Sequence, residues 1–173
     1  MTQSKTKKTG AFAMMVGLLF AAGCGGGAEG ADAADNTASV AAAPAADQAG
    51  DGEQVYGSIC VTCHQADGNG LEGAFPPLAG SAVVTGDAEA SIKIVLSGLT
   101  GEMTRGGATY NGMMTPWGGT MSDADVASVL TYVRSNFGNS AGAVTESQVA
   151  EVRAATASQT TPYTTEALGI AGE

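Results

Sequence analysis

Two cysteines and a histidine stand together in the run Cys60-Val61-Thr62-Cys63-His64, and His64 is the single histidine of the 173-residue chain. Cysteines at this spacing, followed at once by histidine, are the attachment pattern of a c-type haem. Each thiol would form a thioether to one vinyl group of the porphyrin, and the adjacent imidazole would then bind the iron. Because the chain has no second histidine, a second protein ligand to the iron has to be another residue type.

Two other kinds of site use similar cysteines. A thiol–disulfide oxidoreductase carries Cys-x-x-Cys near a βαβ pattern, and the sequence shows no such pattern. A zinc module needs about four ligands, whereas Cys60, Cys63 and His64 are adjacent and the third cysteine, Cys24, lies far away along the chain. The motif therefore favours haem attachment.

The N-terminus has the features of an export signal. Three lysines within the first eight residues precede an apolar stretch at 11–22 that is too short to span a bilayer comfortably. The stretch ends at Ala21-Ala22-Gly23-Cys24, which resembles the lipobox of bacterial lipoproteins, although leucine is commonest where Ala21 stands. We predict a lipoprotein signal peptide over residues 1–23 and a diacylated Cys24. An ordinary signal peptide with a spare thiol and an uncleaved anchor helix are the alternatives.

Charge narrows the choice of partners. Removal of the signal would leave four basic residues against 17 acidic ones, so the formal net charge would change from −10 to −13. A field of that sign disfavours nucleic acid and anionic lipid head groups. It favours docking to a basic patch on another protein, or it reflects a saline or hot habitat. We expect neither a nucleic-acid partner nor a small-molecule substrate.

A flexible linker is predicted between the lipidated cysteine and the folded domain, over residues 24–50. Residues 25–50 are rich in Gly, Ala and Asp, and Val40 is their one sizeable apolar residue. Such a segment buries too little apolar surface to offset the entropy lost on ordering. A flexible chain of about 26 residues has a root-mean-square reach on the order of 25–30 Å.

The rest of the chain is predicted to be helical and without strands. Apolar spacing indicates helices over 52–61, over 88–98, from Ser122 to a stop at Gly138, and more weakly over 146–155. The helix after Ser122 carries the clearest pattern, with Ser122 and Asp125 resembling a capping box and apolar residues continuing to Phe137. We therefore predict an all-α domain core over residues 51–140 and a C-terminal extension over 141–173 with a short helix.

These features together resemble the class I cytochrome c family, from about residue 51 to about residue 168. The resemblance implies a fold in which helices pack around one covalently attached haem c. The residues that carry it, besides the haem motif, are Gly52-Glu53-Gln54-Val55-Tyr56, Asp67-Gly68-Asn69-Gly70, Phe75-Pro76-Pro77-Leu78, Gly80, Tyr110-Asn111-Gly112-Met113-Met114, Leu130-Thr131-Tyr132-Val133-Arg134, Phe137-Gly138-Asn139 and the stretch from Ala143-Val144-Thr145 to Val152-Arg153.

The resemblance also implies a methionine as the second axial ligand of the iron. In the family this ligand follows an Asn-Gly-x sequence, which places it at Met114 in this chain. Family members commonly have proline directly after the methionine, whereas here Thr115 intervenes before Pro116, so Met113 stays an alternative. A His/Met pair favours reduced iron and raises its potential.

Four further site residues follow from the same resemblance. The carbonyl of Pro77 would accept the ring N–H of His64 and fix its orientation. Leu78 would pack on the haem face, and Tyr110 and Trp117 would reach a propionate with their polar tips. Plain core packing is the alternative for each of them.

The implied function is electron transfer without bond chemistry, so the protein would not be an enzyme. It would carry single electrons from a quinol-oxidising complex to a terminal oxidase, anchored by lipid outside the cytoplasmic membrane and facing the periplasm or the extracellular side. A mobile shuttle and a fixed subunit of a respiratory complex both fit the anchor and the linker. A haem enzyme or gas-binding protein with a labile sixth ligand is the alternative, and the lack of a distal histidine argues against it.

Overall fold

Helices supply most of the regular structure in the computed structural model of this protein, which describes residues 51–172. The predicted signal peptide, Cys24 and linker lie outside the described residues. The chain is helical over residues 51–64 (α1), and the middle turn of this helix, Tyr56–Cys60, is π-helical before α-helical geometry resumes at Val61–His64. The later helices are α2 (Ala82–Thr85), α3 (Ala88–Ser97), α4 (Asp123–Ser135) and α5 (Glu146–Ala155).

The helix predictions are confirmed at most of their boundaries. The α3 helix begins after Asp87, whose carboxylate accepts a hydrogen bond from the backbone of Glu89, and it ends at Gly98 with a positive φ of 82°. The α5 helix begins after Thr145, which forms a capping box with Gln148. Such residues satisfy backbone groups that a helix end leaves without an intrahelical partner.

The α4 helix begins as predicted but ends early. Asp125 donates its backbone N–H to Ser122 Oγ (3.1 Å), and Ser122 returns its own N–H to the Asp125 carboxylate (3.0 Å). Hydrogen bonds to the Asp125 carboxylate from the Ser122 hydroxyl (2.6 Å) and, second, from the Ser122 backbone N–H lower the pKa of Asp125. At the other end the helix stops at Ser135 instead of running to Gly138, because Asn136 is extended and Phe137 has a positive φ of 57°.

The prediction that the chain lacks strands is wrong. The structure contains β1 (Leu99–Thr100), β2 (Met103–Arg105), β3 (Ala108–Tyr110) and β4 (Tyr163–Thr164). The β2 and β3 strands form an antiparallel hairpin closed by Gly106 and Gly107, both at positive φ, and β1 pairs with β4 in parallel. Runs of two or three residues are too short to show alternation, but two glycines are a known signal for a tight hairpin turn.

An aromatic cluster ties α1 to α4. The Tyr56 ring lies 5.6 Å from the Tyr132 ring and 5.1 Å from the Phe137 ring, measured between centroids. The two helices meet closely at Gly52, where an added Cβ would lie 2.1 Å from the Ser128 carbonyl oxygen. Tyr132 therefore lies in the contact between α1 and α4, and Tyr56 on the other side of that contact is part of the helix that carries the Cys-x-x-Cys-His motif.

Two apolar clusters make up the core. The larger one joins α1, α3, α4 and α5 and includes Ile92, Val126 and Val149, each almost fully buried. The smaller one joins α3, the hairpin and the C-terminal segment through Ile94, Met103, Tyr110 and Ile170, with Leu99 and Met114 packed against it. Within residues 51–172 no helix is long and apolar enough to cross a membrane.

Candidate functional site

The imidazole of His64 is held at the C-terminal end of α1. Its Nδ1 lies 3.2 Å from the carbonyl oxygen of Pro76. Because a carbonyl only accepts hydrogen bonds, this contact assigns the ring proton to Nδ1 and leaves Nε2 as the lone-pair donor. Burial lowers the pKa of His64, although the bond to Pro76 opposes that shift. The neutral ring that results is the form that binds a metal.

The partner of His64 is a correction to the sequence analysis, which assigned this carbonyl to Pro77. Leu71 and Phe75 exchange two backbone hydrogen bonds of 2.9 and 2.8 Å, and this tight turn delivers the next residue, Pro76, to the ring. Two consecutive prolines look alike in a sequence, so the motif alone could not tell which carbonyl points at the ring. Pro77 instead lines the cleft beside Leu78.

The two motif cysteines lie on the same side of α1 as His64, since both thiols and the imidazole line one cavity. Neither Cys60 nor Cys63 is disulfide-bonded, and both are half-buried. Burial, with a smaller contribution from Cys63, raises the pKa of Cys60 to about 11. The arrangement presents two thiols and one nitrogen ligand to the same space.

Met114 reaches this space from the opposite part of the chain. Its backbone N–H donates to the carbonyl of Leu99 (2.8 Å), and its own carbonyl accepts from the N–H of Leu99 (3.2 Å). Met114 is half-buried and lines both cavities of the cleft together with His64, whereas the neighbouring Met113 lines only the first cavity and is 64% exposed. Gly98 is required beside this contact, because an added Cβ would lie 2.6 Å from the Met114 carbonyl oxygen.

The cleft consists of two adjoining cavities that share Cys60, His64, Met114 and a few neighbours. Both cavities are partly open to solvent. Most of the wall is apolar. Two thiols, a neutral imidazole and a thioether around an apolar cleft fit a covalently attached haem with two axial ligands.

The remaining predicted site residues line the same cleft. Tyr110, which is buried, and Trp117, which is half-buried, line the first cavity, while Pro77 and Leu78 line the second. Met103 and Arg105 were not named as site residues in the sequence analysis. Met103 lines both cavities, and Arg105 is the cationic side chain of the second and only 7% exposed. Both lie on the unpredicted hairpin, whose Gly106-Gly107 turn was the signal that could have located them.

Comparison with known proteins points to the same chemistry. A family model described as cytochrome c matches residues 49–137. Cytochrome c-552 of Thermus thermophilus is 37% identical over 93 residues, which span 51% of this chain and 70% of that protein. A second Thermus thermophilus sequence of the same name is also 37% identical over 93 residues, which span 62% of its length. Cytochrome c-554(548) of Halomonas halodenitrificans is 36% identical over 90 residues, or 52% of this chain and 98% of that protein.

Other relatives are larger proteins. The cytochrome c subunit of a quinone alcohol dehydrogenase from Gluconobacter oxydans is 32% identical over 108 residues, which span 61% of this chain and 22% of that subunit.

Proposed function

Because the chain belongs to the cytochrome c family, whose members bind haem c covalently and carry electrons, we propose that it is an exported, lipid-anchored carrier of single electrons. Its donor is a quinol-oxidising complex and its acceptor is a terminal oxidase. The haem iron supplies the one-electron exchange, and the residues described above bind it, orient its ligands and exclude water.

The observation that carries the proposal is the backbone pairing of Met114 with Leu99. This pairing keeps Met114 on the wall of the cleft that His64 also lines, so a thioether and an imidazole would both be available to a bound haem iron. A carrier needs no open position on the metal, whereas an enzyme or gas-binding protein does. The pairing therefore supports the carrier over the haem enzyme.

The chain's own groups determine how firmly the cofactor is held. The thiols of Cys60 and Cys63 would form the thioethers to a bound haem, and the Pro76 carbonyl fixes the tautomer and the orientation of His64. An apolar wall lowers the local dielectric and keeps water from the ligands. Among the lining side chains, Arg105, Tyr110 and Trp117 offer the polar tips that would take the propionates.

Surface charge supports a basic docking partner. Each of the four basic side chains within residues 51–172 is occupied or buried: Lys93 pairs with Glu89, Arg153 pairs with Asp123, and Arg105 and Arg134 are 7% exposed. The acidic side chains of this region are largely on the surface. Attraction between charged faces raises association rates and is screened by salt.

The test is electron transfer through native membranes. Oxidised protein mixed with these membranes and a quinol should become reduced, and the rate should fall as ionic strength rises. Membranes in which the quinol-oxidising complex is inhibited serve as the control. Failure of the membranes to reduce the protein, together with fast CO binding by the chemically reduced form, would instead support the gas-binding alternative.

A second donor deserves the same assay, because several relatives are named as cytochrome subunits of alcohol, gluconate and fructose dehydrogenases. A dehydrogenase would then donate electrons to this chain. The two proteins would meet transiently, or the chain would be a fixed subunit of the dehydrogenase complex. Purification from membranes at high salt separates these cases: a fixed subunit keeps its dehydrogenase activity attached, and a shuttle does not.

The lipid anchor gives a separate prediction. Cys24→Ser should move the protein from the membrane fraction to the soluble fraction, since the thiol that takes the diacylglyceryl group is gone, while the haem content per protein stays unchanged. Cell fractionation followed by immunoblotting measures the shift, and metabolic labelling with a radioactive fatty acid should mark only the parent chain. If Cys24→Ser stays in the membrane fraction at high salt, another attachment holds the protein.

A further inference from the structure

We propose that the segment 139–172, called the C-terminal strap here, sets how long Met114 stays on the iron, and that Arg153 is its main positioning residue. The inference rests on the proposed ligation by His64 and Met114. The strap lies beyond the residues that the family model matches. It consists of α5, β4 and the turns around them.

The strap covers the strand that holds Met114. Leu99 bonds to Met114 through both of its backbone groups, with distances of 2.8 and 3.2 Å. On either side of Leu99 the same strand bonds to the strap, because Tyr163 donates to the Gly98 carbonyl (3.1 Å) and Thr165 donates to the Thr100 carbonyl (3.0 Å). The Met114 backbone is thus held by a strand that is itself held by β4.

Buried side chains fasten the strap to this region. Thr165 is fully buried, and its Oγ1 donates to the Glu102 carbonyl at 2.8 Å. Ile170 belongs to the smaller apolar cluster, against which Met114 is packed. The end of the strap therefore contacts both the support of the methionine and the cluster beside it.

Arg153 holds in place the segment that follows Met114 in the sequence. Its guanidinium donates to the Asp123 carboxylate (2.6 Å), to the Met121 carbonyl (3.0 Å) and to the Gly118 carbonyl. Gly118 in turn donates its N–H to the Leu96 carbonyl on α3 (3.0 Å). The segment between the methionine and α4 is therefore clamped between α3 and α5.

Movement of its loop away from the haem would let Met114 leave the iron. The neighbours of Met114 are tied on both sides, by β4 through β1 and by Arg153 through Gly118 and Met121. Charge-assisted hydrogen bonds from a guanidinium are among the stronger polar contacts in proteins. Loss of Arg153 should therefore raise the population of the open loop more than loss of ordinary packing on the same helix.

The experiment measures ligand exchange in the oxidised holoprotein. Imidazole binding at saturating concentration reports the rate at which Met114 dissociates. Arg153→Met, which keeps the apolar stem, should raise that rate about tenfold, the equivalent of one charge-assisted hydrogen bond. It should also lower the pH at which the methionine–iron absorption band disappears. Arg153→Lys should fall between it and the parent chain, because an ammonium cannot reach all three acceptors.

Val149→Ala is the matched control. Val149 lies on the same helix and is fully buried in the larger cluster, which also contains Met121, and it takes no part in the hydrogen bonds that Arg153 makes to Gly118 and Met121. This variant should lower the unfolding midpoint while the exchange rate stays at the parent value. Thr165→Val removes the hydrogen bond to Glu102 at nearly constant volume and should also accelerate exchange. It takes the place of Arg153→Met if the Arg153→Met variant gives no holoprotein.

Two results would overturn the proposal. Unchanged exchange in Arg153→Met and Thr165→Val would show that the strap does not act on Met114. Equal acceleration by Val149→Ala would show that only general stability matters. A parent protein without the methionine–iron band would contradict the proposed ligation by Met114. Because this measurement needs no variant, failure of the ligation is distinguished from failure of the strap proposal at the start.

Discussion

Met114→Ala should lower the reduction potential by about 0.1 V or more, within the ~0.8 V range that axial ligands span. A thioether favours reduced iron, and the alanine leaves the sixth position to water or to an added ligand. The oxidised variant should therefore lose the methionine–iron absorption band. After reduction it should bind CO, which the parent chain should not. Potentiometric titration and CO mixing measure the two effects.

Met113→Ala is the control for this prediction. The side chain of Met113 is next in sequence but 64% exposed, so its removal should leave the potential, the band and the CO behaviour unchanged. Met103→Ala gives a second control, because Met103 also lines both cavities. The ligand assignment is wrong if either control loses the band while Met114→Ala keeps it.

Replacement of both motif cysteines by serine should abolish covalent haem attachment. No thioether can form without the thiols, and a His64 imidazole alone holds the haem only through the iron. Haem staining of a denaturing gel should show the band in the parent chain and none in the Cys60→Ser/Cys63→Ser chain at equal protein load. The effect is a complete loss, the largest expected for any substitution in the chain.

Cys24→Ser is the natural control, since it removes the third cysteine without touching the motif. That variant should keep its haem stain. A stained band in the double variant, or loss of stain in Cys24→Ser, would mean that the motif thiols are not the points of attachment.

The helices of this protein could be predicted because their signals are local. Caps such as Ser122 with Asp125, or Thr145 with Gln148, satisfy backbone groups within four residues of one another, so the sequence shows both partners side by side. The haem motif is equally local. The β1 and β4 strands were not predicted because each depends on a partner far away in the sequence, as Leu99 does on Tyr163. The β2–β3 hairpin is local, but strands of three residues are too short to show alternation.

Site residues that depend on chain geometry were the hardest to predict. Pro76, not Pro77, meets His64, since a tight turn at 71–75 decides which carbonyl points at the ring. Arg105 reaches the cleft from a hairpin whose register places it opposite Ala108. The α4 helix ends before its predicted stop because Phe137 packs its ring on Tyr56. This tertiary contact outweighs the apolar pattern that would continue the helix.

The π-helical turn at Tyr56–Cys60 has a consequence for chain length. Its last bond runs from the N–H of Val61 to the carbonyl of Tyr56, one residue further than an α-helical bond, so the turn contains one residue more than the helix around it. Deletion of one residue there would restore α-helical spacing. The following cysteine and histidine would keep roughly their direction relative to Tyr56, because the π-helical turn spreads one more residue over the same rotation. A relative with an unbroken α-helix at this point should therefore align with a one-residue gap between 56 and 60, and its haem motif should face the same cleft.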